Sequence, residues 1–239
     1  MSMSEFFLRP VFILIIGMCL HAPVVSQQAP GQQENEATQK TDTIVRFPVE
    51  PFIRLGVDVS AIGRIVAEPE VRQLEFSLDS EVSFNWFAVL EGGVLEVATE
   101  QETFSYTSSG YFFRAGFDYN LLGRPTPVQN DLVLLGLRYG FSNLNHEAPF
   151  FTVSNPYWGD YSGSMEPSSH SLHWLEFSGG VKTEIFRNLY LGWYLKTRVK
   201  LSETKDPDLE PYYIGGFGHG TRRAPVMIHY SILYRFNFR

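Results

Sequence analysis

The run Val226-Met227-Ile228-His229-Tyr230-Ser231-Ile232-Leu233-Tyr234-Arg235-Phe236-Asn237-Phe238 alternates along nearly its whole length. Ile228, Tyr230, Ile232, Tyr234, Phe236 and Phe238 fall on one face, and His229, Ser231, Leu233, Arg235 and Asn237 on the other, with Leu233 an apolar exception. Successive side chains of a strand point to opposite sides, so a period of two marks a β-strand with one apolar and one polar face.

The pattern recurs upstream. Over 189–201, Leu189, Leu191, Trp193, Leu195, Val199 and Leu201 oppose Tyr190, Gly192, Tyr194, Lys196, Arg198 and Lys200. Over 132–143, Val133, Leu135, Leu137, Tyr139 and Phe141 oppose Gly136, Arg138, Gly140 and Ser142; over 73–84, Leu74, Phe76, Leu78, Val82 and Phe84 oppose Glu75, Asp79 and Glu81. With 52–60, 87–97, 111–120 and 171–185 this makes eight segments, most near the roughly 9–11 residues that cross a bilayer when tilted. The connections at 85–86 and 186–188 are tight turns, and 121–131, with Pro125 and Pro127, is longer. The alternate set, 61–72, 98–110, 144–170 and 202–225, reads as long loops. Short turns on one side, long loops on the other and an even strand count predict an all-β fold: an eight-stranded antiparallel up-and-down transmembrane β-barrel over residues 52–239.

Alternation alone does not say which face points inward, because a soluble lipid-carrying barrel also alternates. The charges discriminate. Arg54, Arg114, Arg138, Lys182, Lys196, Arg198, Lys200 and Arg235 share the polar faces with Asp58, Glu75, Asp79, Glu81, Glu91, Asp118, Glu176 and Glu184, one sign balancing the other. A narrow interior needs that balance, since an unpaired buried charge costs several kcal/mol. A basic side chain facing lipid at the midplane would cost about 2–4 kcal/mol. These residues are therefore expected to form a lumen charge network, with the apolar faces against lipid. Eight strands leave an interior just wide enough for side chains to fill, so the polar lumen is expected to be plugged. Gly56, Gly116, Gly136, Gly140, Gly180 and Gly192 on the same face leave room for long charged chains. Tyr111, Tyr119, Phe141, Trp193, Tyr234 and Phe238 near strand ends fit interfacial girdles. The inverse arrangement, a soluble periplasmic β-barrel with lipid against its apolar face, stays open as an alternative.

Composition agrees with export. The 239 residues carry 26 acids against 19 bases, a net charge of −7, and are 44% hydrophobic. That excludes a disordered chain and a basic nucleic-acid binder. Met1 to Ser26, with Arg9, an apolar run from Val11 to Leu20 and Val24-Val25-Ser26, has the shape of a cleaved signal peptide. Its apolar run is about half of what a spanning helix needs. Cys19, the sole cysteine, follows Met18 where lipoprotein processing wants a small residue, and without it the exported chain can form no disulfide. Residues 27–51, rich in Gln, Glu, Thr and Pro, read as a flexible periplasmic leader. The expected location is the outer membrane of a Gram-negative bacterium.

Candidate chemistry is sparse. Ser169, His170, Ser171 and His173, near Glu166 and Glu176, hold the residue types of a base-activated serine that attacks an acyl ester. Alternation separates His170 from Ser169 and Ser171, however, and nothing supplies an oxyanion hole. A metal shared by His170 and His173 with His219 or Asp160 meets the same odd spacing. Asp206, Asp208 and Glu210 are interrupted by Pro207 and Pro211 and lack the glycine turn of a calcium loop. The run Gly215-Gly216-Phe217-Gly218-His219-Gly220 has no strand-to-helix context for phosphate and reads as loop flexibility. Phe150, Phe151, Tyr157, Trp158 and Tyr161 form a candidate loop contact surface for a protein partner or a glycan, and otherwise a cap on the mouth. The expectation is a non-enzymatic outer-membrane barrel, structural or presenting its long loops to a partner, glycan or lipopolysaccharide, without cofactor, metal or catalytic residue. Its other partners would be outer-membrane lipid and the barrel-assembly machinery. A barrel acyl hydrolase acting on membrane lipid is the alternative.

Two resemblances add to this reading. The run Tyr230 to Phe238 resembles the terminal strand by which outer-membrane barrels are recognised for assembly, although Arg239 follows the last aromatic. Arg54-Leu55-Gly56-Val57-Asp58-Val59-Ser60, Gly136-Leu137-Arg138-Tyr139-Gly140-Phe141-Ser142, Tyr157-Trp158-Gly159-Asp160 and His173-Trp174-Leu175-Glu176-Phe177 resemble an uncharacterised outer-membrane β-barrel family of Bacteroidetes-type bacteria. That resemblance implies fold and location and no activity.

Overall fold

The computed structural model describes residues 51–122, 131–204 and 210–238. The expected signal peptide, all of the leader but Pro51, the Pro125 and Pro127 connection, and Asp206 and Asp208 lie outside them. Eight long strands form one closed antiparallel ring in the order β1-β10-β7-β6-β5-β4-β3-β2. They are β1 (Phe52–Asp58), β2 (Val71–Ser83), β3 (Trp86–Gln101), β4 (Phe104–Asn120), β5 (Asp131–Val153), β6 (Tyr161–Phe186), β7 (Leu189–Glu203) and β10 (Val226–Asn237). A helix α1 (Ser60–Ala67) follows β1, and a two-stranded pair, β8 (Tyr213–Ile214) and β9 (Gly218–His219), precedes β10. Pairing of Phe52 with Asn237 through Asp58 with Ser231 closes the ring. No sheet edge is left along those seven pairs, which is how barrels avoid edge-to-edge association.

The turn side is built by one device used twice. Asn85 and Asn188 take left-handed backbone angles, φ 64° and 66°, a conformation asparagine tolerates better than most residues. The carboxylates of Glu81 and Glu184, each four residues earlier, accept the backbone N–H of these asparagines at 3.0 and 2.6 Å. A shift of register follows each glutamate in the chain. Glu81 and Glu184 thus close turns at the turn-side end of the inward face on which they were expected.

The opposite side differs from the expected loops. The 98–110 connection is a hairpin, since β3 runs to Gln101 and β4 starts at Phe104. Most of 144–170 is also strand, leaving only 154–160 between β5 and β6. Beyond Phe141 the outward face becomes polar, as with Asn143, Asn145, Ser169 and Ser171, while Leu144 and Leu172 stay buried inside; backbone pairing continues where the outward hydrophobic period has stopped. The 61–72 stretch holds α1, whose start is tied by Asp58 accepting the backbone N–H of Ser60 at 2.8 Å and its hydroxyl at 2.5 Å.

Candidate functional site

The faces sort by chemistry. Leu55, Phe76, Leu90, Phe117, Leu137, Phe177, Leu195 and Ile232, one from each ring strand, are 43–54% exposed on the outside. Inside stand Arg54, Glu75, Asp79, Glu91, Arg114, Asp118, Arg138, Glu176, Lys182, Lys196 and Arg198, all buried. Long charged chains cannot stay buried singly, and these are paired across the lumen. Near the turn side Asp79 holds Arg54 at 2.6 Å and also receives Lys182. Asp118 takes both Nη2 contacts of Arg138, at 2.9 and 3.0 Å, and the hydroxyl of Tyr194 at 3.1 Å. Higher up, Glu91 accepts Lys196 at 2.9 Å and faces Arg114 Nε at 2.8 Å. Glu176 is the hub. It meets Arg198 at 2.6 Å, Arg114 at 2.9 Å, Arg138 at 3.4 Å and Lys196 at 3.7 Å, while Arg114 also pairs with Glu75.

The other members of the expected network lie at its margins. Asp58 pairs with Arg64 of α1 at 2.9 Å and reaches the network through His229, whose Nε2 lies 3.0 Å from Arg198. Lys200 is at the mouth, donating to Glu203 and to the Gly220 carbonyl at 2.9 and 2.7 Å. Arg235 stacks 4.2 Å above the Phe52 ring at the turn side. There Phe52, Phe87, Leu132, Leu134 and Tyr194 form an apolar floor beneath the charges.

The mouth is closed by chain rather than by charge. Ile214 and Phe217, from the 210–225 connection, are fully buried against Phe112, Leu144, Leu172 and Trp174, and Tyr213 packs on Val71, Leu95, Val97 and Tyr106. Trp174 and Phe217 meet at 5.7 Å, near edge-to-face. The lumen cations hold this plug by its backbone: Arg198 donates to the Phe217 carbonyl at 2.8 Å and Arg114 to the Gly216 carbonyl at 3.3 Å. Gly216 sits at φ +70°, and a Cβ there would strike the Phe112 ring. The glycine-rich run is therefore a buried, shaped plug, correcting the expectation of mere loop flexibility. Gly140 has a related task, since a Cβ on it would collide with the Trp174 indole.

The candidate catalytic and metal groupings weighed in the sequence do not assemble among the described residues. His170 is buried inside and His173 lies outside, against the Tyr139 hydroxyl at 2.5 Å; Ser171 bonds Thr204 at 2.9 Å. No serine–imidazole pair forms there among the described residues. His219 faces Glu68 at 3.2 Å, and Asp160 accepts from Ser154 at 2.5 Å. A grouping the sequence reading missed is Asp58, Glu75 and His229, with ligand-type atoms within 4.8 Å of one another, beside a cavity of about 20 Å³. Arginine only donates, so Arg198 fixes Nε2 of His229 as acceptor and places the ring proton on Nδ1, towards Asp58 at 3.6 Å. A metal would need that Nδ1 lone pair, and Glu75 is already held by Arg114. Each of the three is held by an arginine, Asp58 by Arg64, Glu75 by Arg114 and His229 by Arg198, beside space for a single water.

At the far end of the β5–β6 hairpin, Asn155 accepts the backbone N–H groups of Tyr157 and Trp158 at 2.9 and 3.2 Å. Their side chains are 91% and 90% exposed. Phe150 and Tyr161 are exposed as well, while Phe151 is half-buried against Tyr161 at 6.1 Å.

A family profile described as a domain of unknown function, DUF6048, matches residues 9–239. The chain belongs to that family. The DUF6048 match runs through every ring strand, so the barrel described above is the fold of the family's domain as this chain presents it. Among solved structures, Ail, the attachment invasion locus protein of Yersinia pestis, aligns at 11% identity and a TM-score of 0.40, covering 80% of this chain and all of that one. The fold assignment rests on the strand pairing and not on that likeness. No curated protein matches the sequence.

Proposed function

We propose that this DUF6048 protein is an integral outer-membrane β-barrel without enzymatic activity, closed to passage and serving through what its outer end presents. One observation carries the reading: across the middle of the ring every strand turns large apolar side chains outward, with the buried charges inside, and outward charges such as Arg72, Glu96 and Asp131 stand toward strand ends. In water so continuous an apolar surface would drive association, whereas in a bilayer it is the required exterior. A soluble lipid carrier would need the reverse, an apolar cavity, and the lumen is filled by ion pairs and a plug. The exposed Phe150, Tyr157, Trp158 and Tyr161 then stand on the β5–β6 hairpin as a contact surface for a protein or glycan. Fractionation of cells expressing the full chain, with gel mobility compared before and after boiling in detergent, tests the location. Outer-membrane recovery with a heat-dependent shift supports the barrel; soluble recovery without a shift overturns it.

A further inference from the structure

We infer that α1 is a lipid-contacting part of the barrel wall, its Ile62, Ile65 and Val66 face lying against the acyl chains of the membrane. The inference rests on the reading of the barrel as membrane-embedded and names what one irregular part of it touches.

The observation is a gap. β1 ends at Asp58, but its two neighbours continue. β2 extends beyond its last pairing with β1, at Phe76, as far as Val71, and β10 begins at Val226, five residues before its first pairing at Ser231. Two stretches of neighbouring strand, 71–75 and 226–230, thus face each other with no β1 between them. α1 follows directly after β1 and packs against both β2 and β10. Its approach is anchored by backbone bonds, from the Val59 N–H to the Tyr230 carbonyl at 2.8 Å and from the Val71 N–H to the Glu68 carbonyl at 3.0 Å. Open strand edges are costly where there is no water to satisfy them, and a helix, with its backbone bonds internal, is suited to cover them.

The height of α1 follows from the strands that flank it. Outward side chains on those stretches are Arg72, at the start of β2, and Leu74 on one side and Val226, Ile228 and Tyr230 on the other; all but Arg72 are exposed members of the apolar exterior. The rotation of α1 about its axis is set by Arg64, which turns to the lumen side to pair with buried Asp58 at 2.9 Å. Ile62, Ile65 and Val66, at i, i+3 and i+4, then share a face pointing away from the barrel and are 68%, 50% and 83% exposed. No ionisable side chain interrupts that face between Ser60 and Ala67. An apolar helix face beside Leu74, Val226, Ile228 and Tyr230, its one cation withdrawn inward and Arg72 left at the end of β2, fits acyl chains rather than water or a polar partner.

The test uses spin labels on the full chain with Cys19→Ser, so that one introduced cysteine is the sole thiol. Ile65→Cys and Ile62→Cys report on α1, and Leu137→Cys, on the outer face of β5, reports on the barrel. Each is reconstituted in dioleoylphosphatidylcholine vesicles, and relaxation by oxygen, which partitions into lipid, is compared with relaxation by a water-soluble nickel chelate. Oxygen-dominated relaxation at Leu137 and at either α1 site supports the inference. Oxygen dominance at Leu137 with nickel dominance at both α1 sites overturns the inference and leaves the membrane barrel standing. Nickel dominance at Leu137 overturns the barrel reading and the inference with it. The heat-dependent gel shift confirms folding of each variant, and the two α1 positions keep the test decisive if one substitution prevents assembly.

Discussion

The middle of the lumen and its mouth are filled by opposite means. In the middle, side chains from all around the ring meet as ions, with Glu176 contacting Arg114, Arg138, Lys196 and Arg198. At the mouth, Tyr213, Ile214 and Phe217 come in on a separate loop and pack as hydrocarbon. The difference is one of tolerance. An ion network has members whose charge remains when a partner is lost, whereas an apolar cluster that loses a ring keeps a hole it can partly collapse into. The two also touch, because Arg114 and Arg198 spend donors on the plug's backbone.

The sharpest break in the comparison is therefore Glu176→Ala. It removes a carboxylate shared by four cations at a site with no exposure. Arg114, Arg138 and Lys196 keep Glu75, Glu91 or Asp118, but Arg198 keeps no carboxylate among the described residues, and breaking a buried pair costs about 3–5 kcal/mol. We expect failure to reach the compact, fast-migrating form on unboiled gels. Phe217→Ala at the mouth should cost less, about 3 kcal/mol, at the low end for buried aromatics because the loop can relax. The check is a urea titration in lipid vesicles scored by the same gel shift. A Phe217 effect larger than that of Glu176 would reverse the ranking of ionic middle and apolar mouth.

Gly216→Ala sharpens the account of the plug. The left-handed φ of +70° costs a side-chain-bearing residue about 1–2 kcal/mol, and the new methyl meets the Phe112 ring. A midpoint loss between those of Phe217→Ala and a surface change is expected, and Gly216→Asn should recover part of the backbone cost while keeping the clash.

How much of this was legible in the sequence depends on the same division. Strand faces were readable because an outward Leu or Phe recurs at every second position, as at Leu189, Leu191, Trp193 and Leu195. The inward placement of charge followed from the cost of putting Arg138 or Lys196 against lipid. The plug was not readable. Tyr213-Ile214-Gly215-Gly216-Phe217 has no period, and its burial exists only because β3 to β6 deliver Leu95, Phe112, Leu144 and Trp174 to one place. Trp174 and Leu233 on otherwise polar faces were the faint signals that the lumen is not uniformly ionic. α1 escaped because eight residues are fewer than the 11–18 over which a helical period is read. Glu81 and Glu184 carried the right charge for the lumen but sat four residues before an asparagine turn, and proximity in chain decided their partner.

The smallest expected effect comes from a second comparison within one hairpin, between Trp158 and Trp174. Trp174 is fully buried behind Gly140, and Trp158 is 90% exposed at the hairpin end. Trp158→Ser should change stability by no more than about 0.5 kcal/mol, as surface substitutions do, and leave the gel shift and urea midpoint where they are. The same residue is where a contact surface would be felt, since an exposed indole held by a turn through Asn155 gives contact area at little entropic cost. An unchanged midpoint together with weaker binding of expressing cells to immobilised glycans or proteins would assign Trp158 to recognition. A lowered midpoint would instead show that the hairpin end is part of the barrel's own packing, extending the apolar closure of the mouth outward along β5 and β6.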